Sequence, residues 1–195
     1  VGANEGQFAL SLRRNNYKGN ILSLEPSSKP FKKLVENSKH DAYWDVMNLA
    51  LGDKEESRKI NVFEASDLNS FYEASEFGKN RFNKGMKKIE TETIEIKTLD
   101  SILKKINLKN KNIFLKMDTQ GFDISVFRGA KKHMTKICGL MSEIPIQQIY
   151  KTTQSYHDIL KEYEAHKFQI SGIFPVSQNK KNNTVIEFDC VMLKK

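Results

Sequence analysis

The chain is poor in the residues that build cross-links and metal sites, and it has no long apolar run. Cysteine occurs twice in 195 residues, as Cys138 and Cys190. Both lie in apolar runs, CGLM and FDCVML, and are expected to be buried free thiols rather than a disulfide. Their spacing fits no metal site. The four histidines, His40, His133, His157 and His166, never pair at i, i+4, and a surface position is expected for each. No stretch reaches the roughly 18 consecutive apolar residues that suggest a membrane span. No charged-then-apolar leader opens the chain, so no signal peptide is expected either. The setting expected from these absences is reducing and cytoplasmic. The chain opens at Val1 without a methionine, and residues upstream of it are expected.

What is present describes one packed domain over 1–195. Hydrophobic residues make up 38% and charged residues 29%, enough for a core and too apolar for a disordered chain. The net charge is +8, with lysines gathered at 29–39, 79–88 and 104–116. Such a surface could attract nucleic acid, anionic lipid or a phosphorylated substrate, or simply be a solvated face. The lysine runs lack the aromatic interleaving of a single-strand binding groove.

Read from the start, V-G-A-N-E-G is the end of a strand and a tight turn, followed by a helix over 7–16. The run 21–24 is a buried strand ending at Glu25 and Pro26, because a helix that short would be marginal. Ser27 and Ser28 are N-cap candidates for the next helix, whose face is Phe31, Leu34 and Val35. A strand is expected over 44–51, closed by Gly52 and Asp53. The runs 59–63 and 92–97 alternate and could pair as an antiparallel edge. Between them, 64–88 is polar and reads as a mobile or partly helical insertion. A short helix at 99–106, a strand at 113–117, a helix after Gly121 and a parallel strand at 140–144 follow. A helix over 156–166 and two strands, 168–174 and 185–193, close the chain as an antiparallel hairpin.

Strands alternating with helices imply a doubly wound, mostly parallel α/β sheet. In such sheets, ligands sit beyond the carboxyl ends of the strands. The polar residues there are Asn4, Glu5, Glu25, Asp53, Asp118 to Gln120, and Glu143. The turn Gly2-Ala3-Asn4-Glu5-Gly6 lets a ligand approach the main chain and the free N–H groups of the next helix. Its glycine spacing is not that of a dinucleotide fingerprint. Glu25 lies 19 residues beyond Gly6, where a carboxylate can accept from both ribose hydroxyls. It could equally be a solvated carboxylate beside a proline.

The segments VGANEGQFA, LSLEPSSKPFKKL, NLALGD, TLDSIL and KMDTQGFDISVFRGA occur in this order, and together they resemble the FkbM family of S-adenosylmethionine-dependent methyltransferases. The resemblance spans Val1 to about Glu143. It implies a Rossmann-like class I methyltransferase fold whose first strand is truncated here, since the family's usual aspartate would precede Val1. It implies S-adenosylmethionine as cofactor, bound by Gly2, Ala3, Asn4, Glu5 and Gly6, with Glu25 on the ribose. The Leu51-Gly52-Asp53 turn would lie against the adenine. Asp118 and Gln120 would face the methyl group and the acceptor.

The expected reaction is O-methylation of a hydroxyl on a sugar or secondary metabolite. The chemistry requires an oxygen aligned behind the methyl carbon and a group that removes its proton. Asp118 or Glu143 could be that base, or a structural acceptor of backbone N–H groups. Phe71, Tyr150 and Tyr156 could line the acceptor pocket or simply pack. A divalent ion between Asp118 and Glu143 would lack a third clear ligand, so no metal is expected. The partner expected is a small-molecule or carbohydrate acceptor, with neither nucleic acid nor a membrane. The alternatives are a nucleic-acid methyltransferase or binder, suggested by charge, and a non-catalytic interaction module that keeps the fold.

Overall fold

The computed structural model describes residues 1–109 and 111–195. Short apolar runs become the inner strands. Helix α1 (Gln7–Arg14) leads to β1 (Ile21–Leu24), α2 (Ser28–Ser38), β2 (Trp44–Met47) and β3 (Ala50–Leu51). Strand β4 (Glu56–Phe63) follows, then a strap of two 3-10 turns, Ser66–Leu68 and Asn83–Met86, around α3 (Glu76–Phe82). Next come β5 (Lys88–Lys97), α4 (Leu99–Leu103), β6 (Ile113–Met117) and α5 (Asp123–Arg128). Strand β7 (Ile137–Pro145), α6 (Tyr156–Ala165), β8 (Phe168–Gln178) and β9 (Val185–Lys194) complete the chain.

The fold is mixed α/β, and its strands divide differently from a single, mostly parallel sheet. Among the described residues three ladders form, in the orders β1-β2, β3-β5-β4 and β6-β7-β9-β8. Pairs β1·β2, β3·β5 and β6·β7 are parallel, whereas β4·β5, β7·β9 and β8·β9 are antiparallel. The expected strand over 44–51 is two strands in different ladders, because Asn48 turns away to donate to the carbonyls of Glu25 and Pro26. The antiparallel 59–63/92–97 pairing and the closing hairpin are present, both longer than their alternating cores. Residues 1–3 join the first ladder to the third. Gly2 and Ala3 N–H donate to Leu24 O on one side, and Val1 bonds Lys116 O and Asp118 N–H on the other.

Helices α4 to α6 supply the apolar faces opposite β6, β7 and β9. There Met117, Val126, Phe127, Leu140, Ile144, Tyr163 and Met192 are all fully buried. Burying each large side chain contributes about 1.5–3 kcal/mol. Helices α1 and α2 cover β1 and β2 through Ala9, Leu34 and Trp44. Trp44 Nε1 donates to Ser23 Oγ at 2.9 Å, which satisfies the indole inside that cluster.

Three local expectations are corrected. Ser27 is the N-cap residue of α2, but its side chain makes no capping bond; Glu92 Oε2 accepts from Ser28 N–H instead. Cys138 is exposed and only Cys190 is buried, because Cys138 points away from the packed side of β7. The segment 64–88 is partly helical as expected, yet it is packed down rather than loose. Leu68, Ala74 and Met86 form a buried cluster with Phe63, Ile149, Tyr150 and Ile186. No helix among the described residues is long and apolar enough to cross a membrane.

Candidate active site

A cleft opens at the carboxyl ends of β1, β3 and β6, enclosing about 580 Å³ with its open mouth included. Gly2, Asn4, Glu25, Leu51, Asp118 and Gln120 line it. Ala3, Glu5, Gly6, Gly52, Asp53 and Glu143 are not among its lining residues. Glu5 turns outward and pairs with Lys33 at 2.6 Å. Gly6 is packed against Trp44 and Leu34, Gly52 against Ile96 and Phe122, and Asp53 is exposed.

The turn at the cleft floor is fixed by close approach. Gly2 has φ +69°, and a Cβ there would stand 1.8 Å from Asp118 O. Only glycine brings the two loops that near. Glu25 is 6% exposed and accepts from Asn4 N–H at 2.8 Å and Ser27 N–H at 2.9 Å. Burial raises its pKa above the ordinary carboxylate value despite those two donors. Glu25 therefore both braces the glycine turn and presents its remaining lone pairs to the cleft. The wall beyond it is apolar, made by Ala50, Leu51, Ile60, Phe71 and Phe122. Phe71 and Phe122 pack with centroids 4.8 Å apart, and the Arg58 guanidinium stacks on both at 5.3–5.4 Å.

The loop after β6 holds the reactive end. Thr119 donates through its N–H and hydroxyl to Asp123 Oδ1, and Ser142 Oγ donates to Asp123 Oδ2. Tyr163 OH completes this buried chain at Ser142. The loop places Gln120 at φ +51°, a conformation that a non-glycine residue holds only when its surroundings impose it. Ser70 Oγ donates to the Gln120 carbonyl at 2.7 Å. The Gln120 amide donates to Asp118 Oδ1 at 3.1 Å and to Glu143 Oε2 at 2.9 Å. Its oxygen lies 2.8 Å from Tyr150 OH. Gln120 thus brings Asp118 and Glu143 together, although Glu143 sits behind the cleft wall.

The two carboxyls titrate in opposite directions. Burial alone would raise Asp118, but Lys116, 2.6 Å away, holds it below the usual aspartate range. Burial and the Asp118 and Glu187 charges push Glu143 up to about 10. At neutral pH the pair carries one proton, held by Glu143.

The strap supplies residues that carry no sequence motif: Ser66, Asp67, Asn69 and Phe71 all line the cleft. Asn69 Nδ2 donates to Ser27 Oγ, and Tyr150 OH lies 2.8 Å from Leu68 O. Of the aromatic candidates, Phe71 lines the cleft, Tyr150 is buried behind it, and Tyr156 packs beside His157. Lys116 was legible as a partner, since it lies two residues before Asp118 on a strand, hence on the same face.

The family model described as the methyltransferase FkbM domain matches residues 1–170. No curated protein sequence matches the chain. The fold is similar to that of a methyltransferase FkbM from Methylobacillus flagellatus KT, with 14% identity and a TM-score of 0.55. That likeness covers 97% of this chain and 42% of the other, so the chain spans about two fifths of that protein's length. A weaker likeness links it to a proposed RNA methyltransferase from Pyrococcus horikoshii, with 10% identity and a TM-score of 0.47. It covers 100% of this chain and 72% of that one. At these identities the likeness is one of fold.

Proposed function

The chain belongs to the FkbM methyltransferase domain family, and from that premise we propose that it transfers a methyl group from S-adenosylmethionine to a hydroxyl of a carbohydrate or similar small polar acceptor. The observation that carries this reading is one cleft joining a buried carboxylate, an apolar slot and an ionised aspartate. The donor set fits the cofactor. Glu25 offers lone pairs for a ribose diol, and the slot of Leu51, Ile60, Phe71 and Phe122 suits a flat ring. The backbone at Gly2 permits close approach. When bound, S-adenosylmethionine supplies a methyl group made electrophilic by its sulfonium.

The protein's own residues then have two tasks. Asp118, kept ionised by Lys116, accepts a hydrogen bond from the acceptor hydroxyl and takes up its proton as the oxygen attacks. Glu143, already protonated, cannot serve as base at neutral pH; its Oε2 accepts from the Gln120 amide, which donates to Asp118 as well and so holds the two carboxyls in place. Alignment of the acceptor in a closed cleft contributes the rest of the rate enhancement. We read residues 1–195 as one methyltransferase unit with a Rossmann-like arrangement of β1, β2, β6 and β7.

Titration calorimetry with S-adenosylmethionine and S-adenosylhomocysteine tests the cofactor assignment. Saturable binding with one site per chain is expected. No heat of binding at millimolar ligand overturns it.

A further inference from the structure

Three acids line the cleft, Glu25, Asp67 and Asp118, and among the described residues no lysine or arginine does. Two of the three are already engaged. Glu25 accepts from two backbone N–H groups, and Asp118 is paired with Lys116. Asp67 is different. It is half-buried, and among the described residues its carboxylate has no hydrogen-bond or ion-pair partner. Its place is set by the residues on either side of it. Ser66 Oγ donates to Asn4 Oδ1 of the glycine turn at 3.4 Å. The Leu68 carbonyl lies 2.8 Å from Tyr150 OH, which itself lies 2.8 Å from Gln120 Oε1. The 3-10 turn Ser66–Leu68 therefore bridges the glycine turn and the loop that carries Asp118 and Gln120. Asp67 is the middle residue of that bridge, at the reacting end of the cleft. The Tyr150 hydroxyl feels the charges of both Asp67 and Asp118. A carboxylate partly removed from water without a partner is unfavourable, and a cation in the cleft would offset that cost.

We propose that Asp67 determines specificity for the cofactor's charge: it supplies the counter-charge for the sulfonium of S-adenosylmethionine, so that the cleft distinguishes the charged methyl donor from the neutral thioether left after transfer. This rests on the methyl-transfer reading above. A sulfonium carries charge but no N–H or O–H donor, so a field recognises it rather than a hydrogen bond. An acid with no donor of its own to satisfy it suits that task, and the attraction strengthens as the surroundings dry. The chain's net charge of +8 repels a cation at long range, and one uncompensated acid at the reacting end reverses that sign locally. The same charge then follows the reaction. The acceptor oxygen forms its bond to the methyl carbon, the carbon–sulfur bond breaks with its electron pair kept by sulfur, and the acceptor's proton passes to Asp118. Sulfur becomes neutral and Asp67 loses its counter-charge, so the product is held less tightly than the donor that replaces it. The ammonium and carboxylate of the methionine end are common to both forms and do not enter this difference.

Calorimetry on the whole chain with three probes tests this. S-adenosylmethionine and sinefungin, which has a protonated amine in place of the methyl sulfonium, are cationic at that position, and S-adenosylhomocysteine is not. Asp67→Asn, which keeps size and shape, should weaken both cations at least about fivefold and leave S-adenosylhomocysteine within about twofold. Asp67→Glu should keep part of the preference for the cations. In the wild type the ratio of cation to thioether affinity should fall as salt rises, because the cleft is open to solvent and its charges are partly screened. That ratio serves if neither variant folds, and a ratio unmoved by salt then overturns the proposal. An equal loss for all three probes overturns it too, and places Asp67 on the ammonium they share. Unchanged affinity for all three overturns it as well, and makes Asp67 a solvated carboxylate. A wild type that binds none of the three overturns the methyl-transfer reading itself and this proposal with it, a result seen before any substitution is made.

Discussion

Single carboxylates divide the work of the cleft, and their substitutions should fail in different ways. Glu25→Ala removes charge-assisted acceptors, each worth about 1.5–3 kcal/mol, so S-adenosylhomocysteine affinity should drop at least about tenfold. Because Glu25 also braces Asn4 and Ser27 N–H, the melting temperature of the free protein should fall too, and Glu25→Gln should recover part of both. Asp118→Asn keeps shape and should leave cofactor affinity within a few fold. Turnover should fall by about a hundredfold if Asp118 is the base, measured with labelled cofactor on any methylated acceptor. A third test uses the proton on Glu143. Burial and the neighbouring acidic charges raise its folded pKa from the ordinary 4.5 to about 10. The stability this group contributes is therefore full below pH 4.5 and is lost as pH rises towards 10. Glu143→Gln removes that dependence. The wild type should lose melting temperature relative to the variant from pH 5 to pH 9, by about 2–4 °C for each ~1 kcal/mol of linkage. A difference that is flat with pH would count against a protonated Glu143.

Among the elements, the strap over 64–87 decides how the cleft is closed. Its polar composition suggests little that could pack, and its order comes from a few apolar residues. Leu68, Ala74 and Met86 dock on Ile149, Tyr150 and Ile186. Asn69, Ser70 and the Leu68 carbonyl tie it to Ser27, Gln120 and Tyr150. Leu68→Ala should cost about 2–5 kcal/mol if the void does not collapse. It should loosen Gln120 as well, since the strap holds the Gln120 carbonyl through Ser70. The expected result is a lowered melting temperature with weaker S-adenosylhomocysteine binding and faster hydrogen exchange at the amides of 66–70. Exchange and affinity both unchanged would mean that the strap is held independently of Leu68.

For the whole molecule, a basic surface makes attraction and reaction separate questions. Net charge of +8 should give weak RNA binding whose affinity falls linearly in log salt, as phosphate contacts release counterions. That binding should not be competed by S-adenosylhomocysteine, and no methyl group should pass to the RNA. Filter retention at two salt concentrations with labelled cofactor checks both points. Salt-insensitive RNA binding with methyl transfer would move the acceptor from a small polar molecule to nucleic acid.

How much was legible follows from what each feature depends on. The buried strands at 21–24, 113–117 and 140–144, the closing hairpin and the family resemblance all rest on local residue order, and sequence alone determined them. Glu25, Asp118 and Glu143 were picked out as candidates where apolar runs stop at an acid, although β7 runs on past Glu143 to Pro145. The division of the strands into three ladders was not legible, since it turns on Asn48 bonding to carbonyls 22 and 23 residues away. The packing of the strap was hidden for the same reason: three apolar residues in a polar segment find partners near 149 and 186. Which carboxyl is ionised was decided only by tertiary structure. A pKa depends on burial and on neighbours within a few ångström, and Lys116, Gln120, Glu143 and Glu187 become neighbours only when β6, β7 and β9 lie side by side.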